Sequence, residues 1–104
     1  MNPIYKNKSY KFSINITVND SPVDISNDQV IAYVNKDWNA DTPQITANAD
    51  LTEGSTGKAT IEFDPTQTDL LPGTYKIQVV WKLQSSSREF IVLDDTIKIK
   101  SVIK

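Results

Sequence analysis

The side chains with the clearest chemical potential are three oxygen donors in the segment DWNAD. Asp37, Asn39 and Asp41 follow the D-x-N-x-D spacing that opens a calcium-binding loop, where carboxylate and amide oxygens coordinate the ion. The match ends there, because the sixth position of such a loop is Thr42 instead of glycine and the twelfth is Asn48 instead of glutamate. We therefore interpret the segment as a polar loop between strands and predict no metal site.

Asp94 and Asp95 are a second pair of neighbouring carboxylates. Two carboxylates can bind a cation or divide the acid and base roles of a glycosidase, but a glycosidase needs them to face each other across a cleft. Adjacent residues in a strand or turn point apart, and aspartate tolerates the backbone conformations of turns. We predict a solvated hairpin tip at this position and no enzymatic activity.

The composition excludes several function classes. The 104 residues include no cysteine and no histidine, which removes disulfides, Cys/His zinc sites, thiol nucleophiles and the usual general base. The net charge is −2 and the positive charges are scattered singly, so there is no basic stripe for nucleic acid. No apolar signal segment opens the sequence, and no run approaches the roughly 20 apolar residues of a membrane span. We expect a protein made in the cytoplasm, with no nucleic-acid or membrane partner and no cofactor.

Two aromatic side chains are candidate partner contacts. Trp38 lies in the middle of the longest polar loop, where no alternation explains it, so it is either a lid over the end of the domain or an anchor for a protein or a sugar. Tyr33, on the second face of the preceding strand, could extend the same patch. Trp81 falls on the inward side of its strand, and we predict a core position for it.

Alternation of apolar and polar residues organises almost the whole chain. Most segments have apolar residues at every second position, and one short β-branched run is apolar on both faces, as a central strand is. Turn-forming residues separate the segments, and no helical period exceeds one turn. The predicted strands are 10–18, 30–35, 44–51, 59–63, 74–83, 89–93 and 96–100. They predict one all-β domain over residues 1–104, either a sandwich or a barrel.

The segment TDLLPGTY favours the sandwich. Pro72 and Gly73 suit the central positions of a type II turn, where glycine accepts a positive φ. Leu70 or Leu71 would enter the core before the turn, and Tyr75 opens the next strand after it. In this pattern, a tyrosine corner, a buried tyrosine donates its hydroxyl to the backbone a few residues upstream. We predict an immunoglobulin-like β-sandwich of about seven mostly antiparallel strands, with Leu71, Pro72, Gly73 and Tyr75 as its structural corner.

One short helical turn is predicted just before this corner. Asp64 could cap it, Pro65 suits the first helical position, and Gln67 lies where a capping box needs it. Only one turn fits before Pro72.

The strand edges and one sheet face point to assembly. Lysines at alternate positions of the closing segment discourage edge pairing. They are Lys98, Lys100 and Lys104. The first strand is less protected, since Lys11 is the one charge on its outer face. Val80, together with Ile31 or Tyr33, predicts an apolar patch on the outward face of one sheet. We expect this surface to serve self-association or another partner.

The order of motifs resembles a known family. An alternating first strand is followed by PVDIS at 22–26, by a strand opening with V-x-A at 30–32, and by LLPGTY at 70–75 before a long strand. Over roughly residues 8–100 this resembles the immunoglobulin-like N-terminal domains of upper baseplate and tail-fibre proteins from phages and prophages of Gram-positive bacteria. The resemblance implies a non-enzymatic structural role in a virion, with other virion proteins as partners and no site residues to transfer.

A second function stays open on the sequence alone. A carbohydrate-binding or adhesin-type sandwich module of a bacterial surface protein would use Trp38 and Tyr33 as a stacking platform, because aromatic rings suit the apolar faces of sugars. Tail genes beside this one would favour the virion role, whereas a secretion signal or wall anchor in the full gene would favour the adhesin.

Overall fold

The computed structural model of the chain describes residues 3–36 and 42–102, and the regular structure in them is almost entirely β-strand. A single 3-10 turn, Gly54–Thr56, interrupts the strands of these described ranges. The strands are β1 (Ile4–Tyr5), β2 (Tyr10–Asn15), β3 (Thr17–Val18), β4 (Ser21–Pro22), β5 (Gln29–Asn35), β6 (Ile45–Asn48), β7 (Lys58–Phe63), β8 (Gly73–Lys82) and β9 (Glu89–Lys100). The all-β prediction is confirmed.

Five strands form a curled mixed sheet in the order β1-β9-β8-β5-β6, in which β1 runs parallel to β9 and the other neighbours are antiparallel. β2 and β7 form a separate antiparallel pair, and β3 and β4 a small hairpin. The chain links the larger sheet to the β2–β7 pair just after β6. There Ala49 donates its N–H to the Val30 carbonyl at 2.8 Å, while Asp50 exchanges two backbone bonds with Thr60.

One hydrophobic core is shared by the larger sheet and the β2–β7 pair. Every second residue of β7 and β8 points into it, as the alternation predicts. Its largest fully buried side chains are Tyr75, Phe63, Ile4, Ile25, Ile45, Ile61, Ile77, Ile97, Ile99, Val30, Val34 and Val79. Trp81 is buried as predicted, and the doubly apolar β5 lies between β6 and β8, as a central strand should.

The two predicted strands at 89–93 and 96–100 are one continuous strand. β9 crosses Asp94 and Asp95 without a turn, and these residues pair with Gln78 and Ile77 of β8. The predicted hairpin tip is therefore wrong. Aspartate is a poor strand former, but the ten-residue pairing with β8 outweighs that local preference.

β9 contains a β-bulge at Val92. Val79 of β8 pairs with Leu93, and the next residue, Val80, pairs with Ile91, so Val92 has no partner of its own. Because side chains alternate with a period of two, one extra residue moves every side chain that precedes it in β9 to the opposite face of the sheet.

The bulge decides where the apolar residues of the first part of β9 lie. Without the bulge, the alternation that places Ile97 and Ile99 inward would also place Ile91 inward. With it, Phe90 turns inward onto Trp81, with ring centroids 5.4 Å apart, and Ile91 turns outward and is 59% exposed.

The predicted first strand, 10–18, is broken at Ile16. The Ile16 N–H donates to the Gly57 carbonyl at 2.8 Å, and its carbonyl accepts from the Val23 N–H at 3.2 Å. The chain then turns through the β3–β4 hairpin, whose two turn residues both have positive φ, as in a type I′ turn. Val18, the last residue of that predicted strand, is half exposed.

β1 lies outside every predicted strand. Its two residues are too few to show an alternation, yet Ile4 is fully buried and pairs with Ile99.

Candidate partner-binding surface

The tyrosine corner is a fold-forming element. The Tyr75 ring is buried, and its hydroxyl donates to the Leu71 carbonyl, four residues upstream, at 2.6 Å. Leu70 packs against the core and Leu71 is 73% exposed, so the leucine that enters the core is Leu70. The Lys36 ammonium lies 5.5 Å from the centroid of the Tyr75 ring, a cation–π contact at the rim of the corner.

The backbone at the corner differs from the prediction at one point. Gly73 has φ +156°, not the roughly +80° that a type II turn needs at its third residue. It is already the first residue of β8 and pairs with Ile99. The chain therefore passes from Pro72 directly into the strand, and the predicted type II turn is wrong.

The single turn before the corner has the predicted capping box. The Asp64 N–H donates to Gln67 Oε1 at 3.0 Å, and the Gln67 N–H donates back to Asp64 Oδ1 at 2.8 Å. Thr68 follows, fully buried, and its hydroxyl donates to the Lys8 carbonyl at 2.8 Å. The turn thus ties the crossing segment to the residues that lead into β2.

An apolar row crosses the outward face of the five-stranded sheet. Ile31, Val80 and Ile91 lie directly opposite one another on β5, β8 and β9. Ile31 is almost covered, whereas Ile91 is largely exposed. The row contains the predicted pair Val80 and Ile31 and adds Ile91. We call these three residues the outer row.

Polar residues border the outer row on the side where β8 ends and β9 begins. Lys82 of β8 forms an ion pair with Glu89 of β9, with 3.3 Å between Nζ and Oε1. The hydrogen bond that Lys82 donates to Glu89, followed by the electrostatic influence of Tyr33, raises the pKa of Lys82. Tyr33 pairs with Gln78, on the other side of the row from Lys82, and is partly buried, so its ring is not an open platform. An apolar centre with a polar border is the anatomy of a protein–protein contact.

A second cluster lies at the same end of the sheet, on the inward side. Trp81 donates its Nε1–H to Asp28 Oδ2 at 2.8 Å, and the other oxygen of that carboxylate accepts from the Gln84 N–H at 3.0 Å. Phe90 covers the indole and remains 45% exposed. The carboxylate gives the indole N–H of the buried Trp81 a hydrogen-bond partner, so the role of this cluster is structural.

Sequence reasoning missed Ile91 and Phe90, because the bulge that separates their faces has no signature in EFIVL beyond four consecutive apolar residues. Trp38 and the calcium-like positions Asp37, Asn39 and Asp41 lie outside the described residues, as does Lys104.

Among residues 3–36 and 42–102, no group of acidic side chains is arranged to hold a metal ion. In the same ranges no helix has the length and apolar character needed to cross a membrane. No protein-family model matches the chain, and no curated protein sequence matches it.

Proposed function

We propose that this chain is a non-enzymatic assembly domain of a phage or prophage tail, in a baseplate or fibre protein, and that its fold is an immunoglobulin-like sandwich. Its localisation would be the virion, and its partners neighbouring virion proteins or further copies of itself. The motif order PVDIS, V-x-A and LLPGTY motivates the family.

The strand order supports the immunoglobulin-like part of the proposal. In that fold the strand that begins with the corner tyrosine is the penultimate one, and it lies between the last strand and an earlier central strand. β8 begins with the Tyr75 corner and lies between β9 and β5. The opposing β2–β7 pair would correspond to the core of the second sheet.

The observation that carries the assembly role is the outer row. Ile31, Val80 and Ile91 cross three neighbouring strands without a polar interruption, on a sheet face that has no part in the core. A sheet face with this row offers a surface for another folded protein, whereas small ligands bind in concave sites. Ile91 is the most exposed member and would contribute most to such a contact.

A substitution in the outer row tests this role directly. Ile91→Lys should leave the melting temperature nearly unchanged, because the side chain is largely exposed, and should lower incorporation of the chain into particles released after prophage induction. Thr46→Lys is the matched control, since Thr46 is exposed on the outward face of β6 but lies away from the row. Quantitative mass spectrometry of purified particles measures both variants.

Two results would contradict the proposal. One is the absence of the parent chain from purified particles, together with neighbouring genes that encode metabolic or cell-wall enzymes. The other is equal incorporation of Ile91→Lys and the parent, which would remove the outer row as the contact. Specific binding of the parent chain in a glycan array, lost in Trp38→Ala, would support the carbohydrate-binding alternative instead.

A further inference from the structure

β2 is the open edge of the smaller strand pair. In the described part of the chain it has one strand neighbour, β7, which pairs with all six of its residues. The opposite edge of β2 presents backbone N–H and C=O groups in the spacing that another strand can pair with.

The core is thinly covered at this edge. The inward side chains of β7, which are Ala59, Ile61 and Phe63, are fully buried. Those of β2, which are Tyr10, Phe12 and Ile14, are only half buried although they face the same core. The two aromatic rings of β2 pack on Phe63, with centroid distances of 6.3 Å and 6.0 Å. A strand added beside β2 would cover the exposed parts of these side chains.

The other long edge of the molecule is blunted. The outer edge of β9 has the bulge at Val92, the charged residues Asp94 and Lys98, and β1 alongside its end. Each of these features hinders strand addition. β2 has regular pairing, no proline, and Lys11 as its only charge.

We propose that a second copy of this chain docks on β2 in antiparallel orientation, so that two β2 strands join the two small sheets into one four-stranded sheet. The twofold axis passes through Phe12. Phe12 then faces the partner's Phe12, and Tyr10 faces the partner's Ile14 on both sides of the axis. Aromatic–aromatic and aromatic–β-branched pairs are favourable cross-strand neighbours.

The sequence of β2 selects this register. A slip by one residue would place apolar side chains opposite polar ones. Placing Lys11 on the axis would set two lysines directly opposite each other, which is destabilising. Placing Ser13 on the axis would oppose Tyr10 to Ile16, which lies beyond the end of β2, is already buried and accepts a hydrogen bond from the Val23 N–H. With Phe12 on the axis, Lys11 faces the partner's Ser13, and Glu62 of β7 lies on its other side.

The contact area sets the strength of the dimer. A pair of six-residue strands buries less than the roughly 800 Å² per partner of a stable interface, so we expect a reversible dimer that forms at high protein concentration. This inference goes beyond the proposed function, because such a dimer needs no virion, and a virion component could assemble without it.

Opposite charges at position 13 test the register. The twofold axis repeats the pair between residue 13 and the partner's Lys11, so each substitution acts at two places in the dimer. Ser13→Glu would place a glutamate opposite Lys11 in both pairs, and Ser13→Lys would place a lysine there. Ser13 is exposed and its one bond, to the Thr60 hydroxyl, is lost in both variants alike. We expect Ser13→Glu to lower the dimer dissociation constant by about 2- to 30-fold and Ser13→Lys to raise it by a similar factor.

Sedimentation equilibrium of the full chain over a range of concentrations measures these constants. The charge-swapped variant Ser13→Lys with Lys11→Glu should restore the dimer. Thr96→Glu and Thr96→Lys, on the exposed outer face of β9, are controls that should change nothing. The proposal is overturned if both Ser13 variants act in the same direction, if the Thr96 variants shift the equilibrium instead, or if parent and Ser13→Glu both remain monomeric.

Discussion

At the scale of single residues, the buried hydroxyl of Tyr75 supports a specific prediction. Tyr75→Phe should keep the fold and lower the free energy of unfolding by about 1 kcal/mol or somewhat more, because the Leu71 carbonyl loses its donor. Tyr5→Phe is the control, since Tyr5 is half exposed. Urea denaturation measures both variants, and an unchanged midpoint for Tyr75→Phe would show that the corner hydrogen bond has no role in stability.

Alanine substitutions at two glycines should lower stability by different amounts. Gly57 has φ +82°, and a Cβ there would lie 2.6 Å from the Ile16 carbonyl oxygen, whereas a Cβ at Gly73 would meet only the flexible end of Lys36 at 3.6 Å. Gly57→Ala should therefore lower stability by about 1–3 kcal/mol, and Gly73→Ala should lower it by less. Thermal melts of the two variants give the order. A larger loss at Gly73 would contradict the clash argument.

At the scale of elements, the capping box should act as a unit. Gln67→Ala removes one half of the reciprocal hydrogen bonds with Asp64 and should lower stability by about 1 kcal/mol. Asp64→Ala removes the other half, and the double variant should lose less than the sum of the two single losses, because losing one bond loosens the turn that holds the other. Thr66→Ala, an exposed position in the same turn, is the control. Additive losses in a double-mutant cycle would show that the two bonds are independent.

At the scale of the whole molecule, the topology predicts slow folding. β2 pairs with β7, and β1 pairs with β9 from the opposite end of the chain, so both contacts close long loops. We expect refolding on a timescale of roughly milliseconds to seconds, as for other all-β domains dominated by distant pairings. Stopped-flow fluorescence after dilution from urea measures this rate. Complete refolding faster than the instrument's dead time would contradict the prediction.

The sequence alone determined the fold class and most of the core. Period-two alternation placed Ile77, Val79 and Trp81 inward, because a strand between water and a core must bury alternate residues. The LLPGTY segment indicated the corner, and Asp64 with Gln67 indicated the capped turn, because these are local patterns in which all partners lie within a few residues.

Only the tertiary structure decided the surfaces. The bulge at Val92 depends on how β9 matches β8, and it moved Ile91 outward and Phe90 inward against the alternation that Ile97 sets. The openness of the β2 edge likewise depends on which strands lie beside it. Burial periodicity is a property of one strand, whereas register and neighbours are properties of strand pairs, and the sequence of one strand does not contain them.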